Sequence, residues 1–202
     1  MKTFIEIGSC DFNTLNHLYY DGWRGIIVEP VKEYLDNLER HPSIEYVNMA
    51  IDTQNGTRDL WMCPKEYQKV SRDYRGMSSF YRDIHHGSVV GEQVLNDKGK
   101  PVHTDKIEIQ TITWNTLVET FNIKEVDYLK IDTEGHDWEI LKSIDLNKIK
   151  PKIIKVEHKH SGKKKEIMTY LFENGYHVEG MFFFCIVETL LNQIGMTIVP
   201  WK

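Results

Sequence analysis

Short apolar runs alternate with amphipathic stretches along most of the chain. Two such runs, residues 4–7 and 25–28, predict buried strands, and a stretch with helical spacing follows each of them, at 15–20 and 31–40. Further strands are predicted at 44–49, 58–62, 107–112, 128–131 and 151–158, further helices at 114–121, 138–144 and 163–174, and a terminal hairpin at 176–180 and 182–187. This alternation predicts an α/β fold with a doubly wound, mostly parallel sheet and helices on both faces.

The pattern is lost between residues 63 and 104. This segment carries tyrosines, arginines, the pairs Ser78-Ser79 and His85-His86 and several glycines, with no sustained helical or strand period. Loops of such length inside a compact domain usually have a function or are mobile. We therefore expect a substrate lid, inserted into a single domain that spans residues 1–202.

Composition narrows the class of protein. Of the 202 residues, 41% are hydrophobic and 27% are charged, as in ordinary globular domains. The net charge of -5 argues against general nucleic-acid binding, and no apolar run approaches the roughly 20 residues that span a bilayer. The first residues lack the apolar core of a signal peptide, and Cys10, Cys63 and Cys185 have no CxxC spacing. We therefore expect a cytoplasmic protein without a disulfide framework or a zinc cluster.

Acidic residues occur in or directly after the predicted core strands. Glu6 lies within the first strand, Glu29 ends the second, and Asp132 follows a later apolar run. Glu134 and His136 follow in the same turn, which packs three carboxylates, a histidine and a glycine into six positions. Because ligands of open α/β sheets bind beyond the carboxyl ends of the strands, Asp132, Glu134 and His136 are the first candidates for chemistry.

The turn after the first strand contains one glycine, Gly8. A dinucleotide site would need GxGxxG and a P-loop would need GKS or GKT, so the predicted ligand is a nucleoside without phosphates. S-adenosylmethionine is such a molecule, and we expect Glu6 near its ammonium group and Glu29 at both ribose hydroxyls. Polar contacts are also expected from the residues of the turn, Ser9, Asp11, Asn13 and Thr14.

Several segments together resemble one protein family. They are residues 4–12, Val28-Glu29-Pro30, Asn48-Met49-Ala50, Ser78-Ser79, Ile112-Thr113-Trp114 and, above all, Lys130-Ile131-Asp132-Thr133-Glu134-Gly135. Over about residues 4–158 the chain resembles the FkbM family of S-adenosylmethionine-dependent methyltransferases, except that Ser9-Cys10-Asp11-Phe12 follows Gly8 where many members have Ala-Asn-x-Gly.

This resemblance implies a seven-stranded class I (Rossmann-like) methyltransferase fold and O-methylation of a hydroxyl on a small molecule or glycan. It also implies further cofactor contacts, with the two serines at the adenine end. These contacts are Gly8, Pro30, Asn48, Ala50, Ser78, Ser79 and Asp132.

Methyl transfer to a hydroxyl also needs a base near the acceptor. His136 and His158, both predicted at strand ends, are the leading candidates beside the catalytic Asp132, and His85 or His86 on the lid could serve instead. An alternative is a divalent metal ion that lowers the pKa of the acceptor hydroxyl. Its candidate ligands are Asp132, Glu157 and His158.

Two other functions are alternatives to an active methyltransferase. A nicotinamide-dependent oxidoreductase would use a similar sheet, but the missing glycines of the dinucleotide motif argue against it. A degenerate domain serving as a partner subunit would bind S-adenosylmethionine without catalysing transfer.

Overall fold

The structure is a computed structural model and describes residues 1–69, 73–82, 105–179 and 183–187. The strands are β1 Thr3–Ile7, β2 Arg24–Val28, β3 Ile44–Val47, β4 Ala50–Ile51, β5 Gly56–Met62, β6 Asp105–Ile112, β7 Tyr128–Ile131, β8 Ile153–Val156, β9 Tyr176–Glu179 and β10 Phe183–Val187. The helices are α1 Asn16–Tyr20, α2 Lys32–Asn37, α3 Lys65–Gln68, α4 Asp73–Gly76, α5 Trp114–Thr120, α6 Asp137–Ser143 and α7 Lys164–Glu173.

The central sheet has seven strands in the order β3-β2-β1-β7-β8-β10-β9. The first five run parallel, and β10 is antiparallel to both β8 and β9. The carboxyl ends of β2, β1 and β7 therefore meet at one edge. This arrangement places Glu29, Gly8 and Asp132 side by side, because each follows one of these strands.

Helices cover both faces of the central sheet. Successive side chains of a strand point to opposite faces, so the two faces of β1 can be followed separately. Ile5 belongs to a buried cluster that contains Leu117 of α5, whereas Phe4 belongs to a second cluster that contains Leu35 of α2. The predicted mostly parallel sheet covered by helices is confirmed.

Individual elements follow the predicted positions with shifts at their ends. The predicted cap of α5 is confirmed, since the side chain of Thr113 accepts a hydrogen bond from the Thr116 N–H at 3.1 Å. Helix α2 ends at Asn37 rather than at residue 40, because Leu38 has an extended backbone. After α7, Gly175 has φ +74 and donates its N–H to the Phe172 carbonyl, as expected for a glycine that ends a helix.

The predicted strand at 44–49 is too long by its last two residues. β3 ends at Val47, and Ala50–Ile51 forms a separate strand in a second sheet with the order β4-β6-β5. There β4 runs parallel to β6, and β5 is antiparallel to it. The partner of β4 lies about sixty residues further along the chain, so local periodicity gave no sign of this second sheet.

The prediction that residues 63–104 lack regular structure is wrong for the first part of the segment. It contains α3 and α4, and Ser79 forms a bridge with Trp61 of β5. Each helix has four residues, too few to produce a helical period in the sequence. The rest of the predicted lid, including His85 and His86, lies outside the described residues.

Candidate active site

A cavity opens at the carboxyl edge of the central sheet, beyond β1, β2 and β7. Its volume is about 560 Å³, counting the part open to solvent. The predicted residues that line it are Gly8, Glu29, Pro30, Ala50, Ser78, Asp132, Glu134 and His136. The predicted residues that do not line it are Glu6, Ser9, Asp11, Asn13, Thr14, Asn48, Ser79, Glu157 and His158.

Gly8 brings the ends of two strands together at the cavity wall. Its φ is +80, and a Cβ atom at this position would lie 1.9 Å from the Asp132 carbonyl oxygen. The Asp132 N–H donates to the Ile7 carbonyl at 3.0 Å, which continues the pairing of β1 with β7. A side chain at position 8 would force these two segments apart, so the position requires glycine.

Glu29 is a buried carboxylate at the end of β2. The backbone N–H groups of Cys10 and Val31 donate to its two oxygens, both at 2.8 Å. Burial raises the pKa of Glu29 to about 7, although these two hydrogen bonds lower it. Each oxygen keeps lone pairs for a further donor, so the backbone fixes the orientation of the carboxylate without exhausting its capacity.

Glu6 has a partner inside the protein. Its Oε1 lies 2.9 Å from Nζ of Lys130, the paired residue on β7, and it also accepts from the Thr14 hydroxyl. Burial lowers the pKa of Lys130, but Glu6 and Asp132 together outweigh this effect and raise it to about 12. Lys130 also lies 3.5 Å from Asp132, so this ion pair stands behind the cavity wall and couples β1 to β7.

The other polar residues predicted at the first turn bond to the protein. The Ser9 hydroxyl donates to the Cys10 carbonyl at 3.0 Å, and Oδ1 of Asn13 accepts the Glu39 N–H at 3.0 Å. The buried Asp11 carboxylate forms an ion pair with Arg75 of α4. These side chains thus stabilise the conformation of the turn, and the ion pair of Asp11 with Arg75 holds α4 against it.

Asp137 holds the polar turn that follows β7. Its buried carboxylate accepts the N–H groups of Thr133 and Gly135, both at 2.9 Å, and burial raises its pKa to about 7. Glu134, within this turn, has φ +52, and burial followed by the nearby Asp132 raises its pKa well above the usual value. Asp132, Glu134 and His136, the first candidates for chemistry, therefore lie on one turn that the Asp137 carboxylate holds in place.

His136 is buried at the cavity and forms hydrogen bonds through both ring nitrogens. Nε2 lies 3.0 Å from Oδ1 of Asp52, and Nδ1 lies 3.0 Å from the Tyr81 hydroxyl. The ring also packs edge-on against Phe80 at 4.8 Å. Burial lowers the pKa of His136 and outweighs the opposing effect of Asp52, so the imidazole is neutral near pH 7.

Asp52 is ionised in this arrangement. Burial alone would raise its pKa, but the Thr53 N–H at 2.7 Å and the Arg58 guanidinium at 2.9 Å hold the pKa below its usual value. An ionised carboxylate only accepts hydrogen bonds, which assigns the ring proton to Nε2 of His136. Nδ1 is then the basic nitrogen and accepts a hydrogen bond from the Tyr81 hydroxyl.

The proposed metal ligands do not form a ligand set. The buried Glu157 carboxylate accepts the N–H groups of Lys159 at 2.6 Å and His160 at 3.4 Å, and the half-buried His158 stands outside the cavity lining. No group of three or more His, Cys, Asp or Glu side chains in the described ranges is arranged to hold a metal ion. The metal alternative therefore has no geometric support here.

Two further predicted cofactor residues support the cavity from behind. The exposed Asn48 donates its amide to the Glu29 and Pro30 carbonyls, at 3.0 and 2.9 Å. The buried Ser79 hydroxyl donates to the Glu134 carbonyl at 2.7 Å, which ties the end of the described segment 73–82 to the turn after β7. Both residues hold cavity-lining backbone in place.

Asp52, Arg75 and Tyr81 belong to the site but are absent from the sequence prediction. Asp52 lies just past the third predicted strand, a position that favours ligand contacts, but its pairing with His136 could not be foreseen. Arg75 and Tyr81 belong to the segment without a period. Because α4 has only four residues, no periodic pattern in the sequence placed Arg75 at the cavity.

None of the helices in the described part of the chain has the length and apolar character needed to cross a membrane.

Neither the curated proteins nor the solved structures gave a significant match to this chain. A family model, that of the methyltransferase FkbM domain, matches residues 6–178. The match runs from β1 to β9 and includes every residue of the cavity described above. The chain therefore belongs to the FkbM methyltransferase family.

Proposed function

We propose that the chain is a class I methyltransferase that transfers a methyl group from S-adenosylmethionine to a hydroxyl oxygen of a small molecule or glycan. The observation that carries the proposal is the buried Glu29 carboxylate, oriented by two backbone N–H groups at the wall of the cavity. Family membership supports the reaction class. The strand order, with an antiparallel edge on five parallel strands, supports the fold class.

The residues around the cavity fit a phosphate-free adenosyl group. Glu29 can accept hydrogen bonds from the two ribose hydroxyls, while Pro30 and Ala50 offer apolar surface for the base. Two lining residues, Thr133 and Arg75, also have buried polar atoms, Oγ1 and Nε, without a hydrogen-bond partner within the described structure. Buried polar atoms are usually satisfied, so these two are suited to a polar ligand.

Bound in this cavity, S-adenosylmethionine supplies an electrophilic methyl group on a positively charged sulfur. Asp132 and Glu134 line the same space, and a carboxylate such as that of Asp132 favours a cation there. The walls formed by the turns after β1 and β7 keep the reacting groups in line, which can lower a barrier by roughly 7–11 kcal/mol.

His136 is the base in this proposal. Its Nδ1 accepts a hydrogen bond from the Tyr81 hydroxyl. If the acceptor hydroxyl donates a hydrogen bond to the Tyr81 oxygen, two protons can move together: the acceptor proton to Tyr81, and the Tyr81 proton to Nδ1. Asp52 then stabilises the imidazolium that forms. Proton transfer of this kind contributes roughly 10²–10⁴-fold to a rate.

Calorimetry with S-adenosylhomocysteine and, separately, NADH tests the cofactor assignment. We expect binding of S-adenosylhomocysteine at one site per chain, with a rise in melting temperature as its concentration increases. Binding of NADH alone would overturn the proposal in favour of an oxidoreductase. A screen of hydroxyl acceptors with methyl-labelled S-adenosylmethionine then separates an enzyme from a subunit that binds the cofactor and transfers nothing.

A further inference from the structure

Arg75 reaches the cavity from α4, outside the central sheet. Its guanidinium pairs through Nη1 with the buried carboxylate of Asp11, in the turn after β1. Gly76, the next residue, lies so close to this turn that a Cβ atom would be 3.1 Å from the Phe12 ring. The position of Arg75 over the turn is therefore fixed by both a charge contact and packing.

Arg75 has donor capacity that the protein does not use. Its Nε is buried and has no hydrogen-bond partner among the described residues, although the side chain lines the cavity. A buried N–H of a charged group without an acceptor is costly, and a ligand acceptor would relieve that cost. An arginine is also the side chain best suited to bind a carboxylate through two parallel hydrogen bonds.

The charges around the cavity are unequal. Glu29, Asp132 and Glu134 are acidic, His136 is neutral, and Arg75 is the one cation among the described residues of the lining. The amino-acid end of the proposed cofactor carries one anionic group, its carboxylate. Complementarity therefore assigns that group to Arg75 rather than to the acidic wall.

We infer that Arg75 binds the carboxylate of the cofactor's amino acid and makes the site select ligands that carry it. This inference rests on the proposed function and adds the recognition of the amino-acid end. The sequence predicts Glu6 near the ammonium group of that end, but Glu6 pairs with Lys130 and does not line the cavity.

Two ligands that differ in this group alone test the inference by calorimetry. The first is S-adenosylhomocysteine, and the second is its decarboxylated analogue, in which a thiopropylamine replaces the amino acid. We expect the analogue to bind the wild-type protein roughly 10- to 100-fold more weakly, the usual effect of losing a charge-assisted contact. Equal affinities would overturn the inference without the need for any variant.

The variant Arg75→Gln assigns the effect to this side chain. We expect it to weaken binding of S-adenosylhomocysteine by a similar factor and to leave the analogue within about threefold of the wild type. The analogue thus reports whether the site stays intact once Asp11 has lost its partner. Arg40→Gln is the matched control, because Arg40 pairs with Asp36 on the surface.

The two proposals fail in different ways. A loss of affinity for both ligands by the same factor in Arg75→Gln would give Arg75 a structural role only and overturn the inference. If the wild-type protein bound neither ligand, the proposed function would be overturned, and the inference with it.

Discussion

Lowering the pH from about 8 to about 6 is expected to weaken the binding of S-adenosylhomocysteine roughly tenfold, through the protonation of Glu29. Burial raises the pKa of this carboxyl group to about 7 in the ligand-free protein. Ribose hydroxyls that donate to Glu29 would stabilise its ionised form and lower the pKa in the complex. Binding therefore releases a proton near neutral pH.

The magnitude follows from these two pKa values. If the ligand returns the pKa to its ordinary 4.5, Glu29 in the complex stays ionised across this pH range, whereas in the ligand-free protein it becomes protonated as the pH falls through about 7. Affinity is then complete above pH 7 and is lost below it. The apparent dissociation constant changes roughly tenfold for each pH unit below the higher pKa.

Calorimetry in buffers of different ionisation enthalpy measures both the affinity and the proton released. Glu29→Gln should bind S-adenosylhomocysteine more weakly, and its affinity should no longer depend on pH. The variant keeps the other groups that titrate near neutral pH, such as Asp137, so it separates their contribution from that of Glu29. Glu33→Gln, at an exposed position on α2, is the control and should behave as the wild type. A slope that persists in Glu29→Gln would refute the assignment of the proton to this residue.

Three further substitutions test separate parts of the site. Gly8→Ala should destabilise the fold by more than about 2 kcal/mol, because φ is +80 and the new Cβ atom would collide with backbone; an unchanged urea midpoint would contradict this close approach. Lys130→Met should lower the free energy of unfolding by about 3–5 kcal/mol, because it leaves Glu6 buried without its cation. The double variant with Glu6→Gln should recover part of that loss. A single variant as stable as the wild type would refute the pairing. Asp52→Asn should leave cofactor affinity unchanged but alter the tautomer of His136, so identical ring-nitrogen NMR spectra of wild type and variant would exclude the proposed orientation.

Local sequence patterns predicted those features that depend on neighbouring residues. Apolar runs located the central strands, and Thr113 was recognisable as a helix cap because its partner is three residues away. The position of Glu29 after a buried strand placed it at the carboxyl edge, where it lines the cavity. These predictions succeed because the periodicity of strands and helices is written in adjacent positions.

Features that depend on distant pairing escaped prediction. Glu6 and Lys130 are separated by 124 positions, and an acid in a strand does not show whether its partner is a ligand or another strand. Asp52 and His136 are 84 positions apart. Arg75 was missed for another reason, since four-residue helices leave no periodic signal and its place is set by packing on the first turn.

A crystal structure with S-adenosylhomocysteine bound would locate the cofactor within the fold. The proposal predicts both ribose hydroxyls within hydrogen-bond distance of the Glu29 carboxylate, with the sulfur facing the turn that carries Asp132 and His136. A ligand bound away from the carboxyl ends of β1, β2 and β7, or one whose ribose does not contact Glu29, would contradict it.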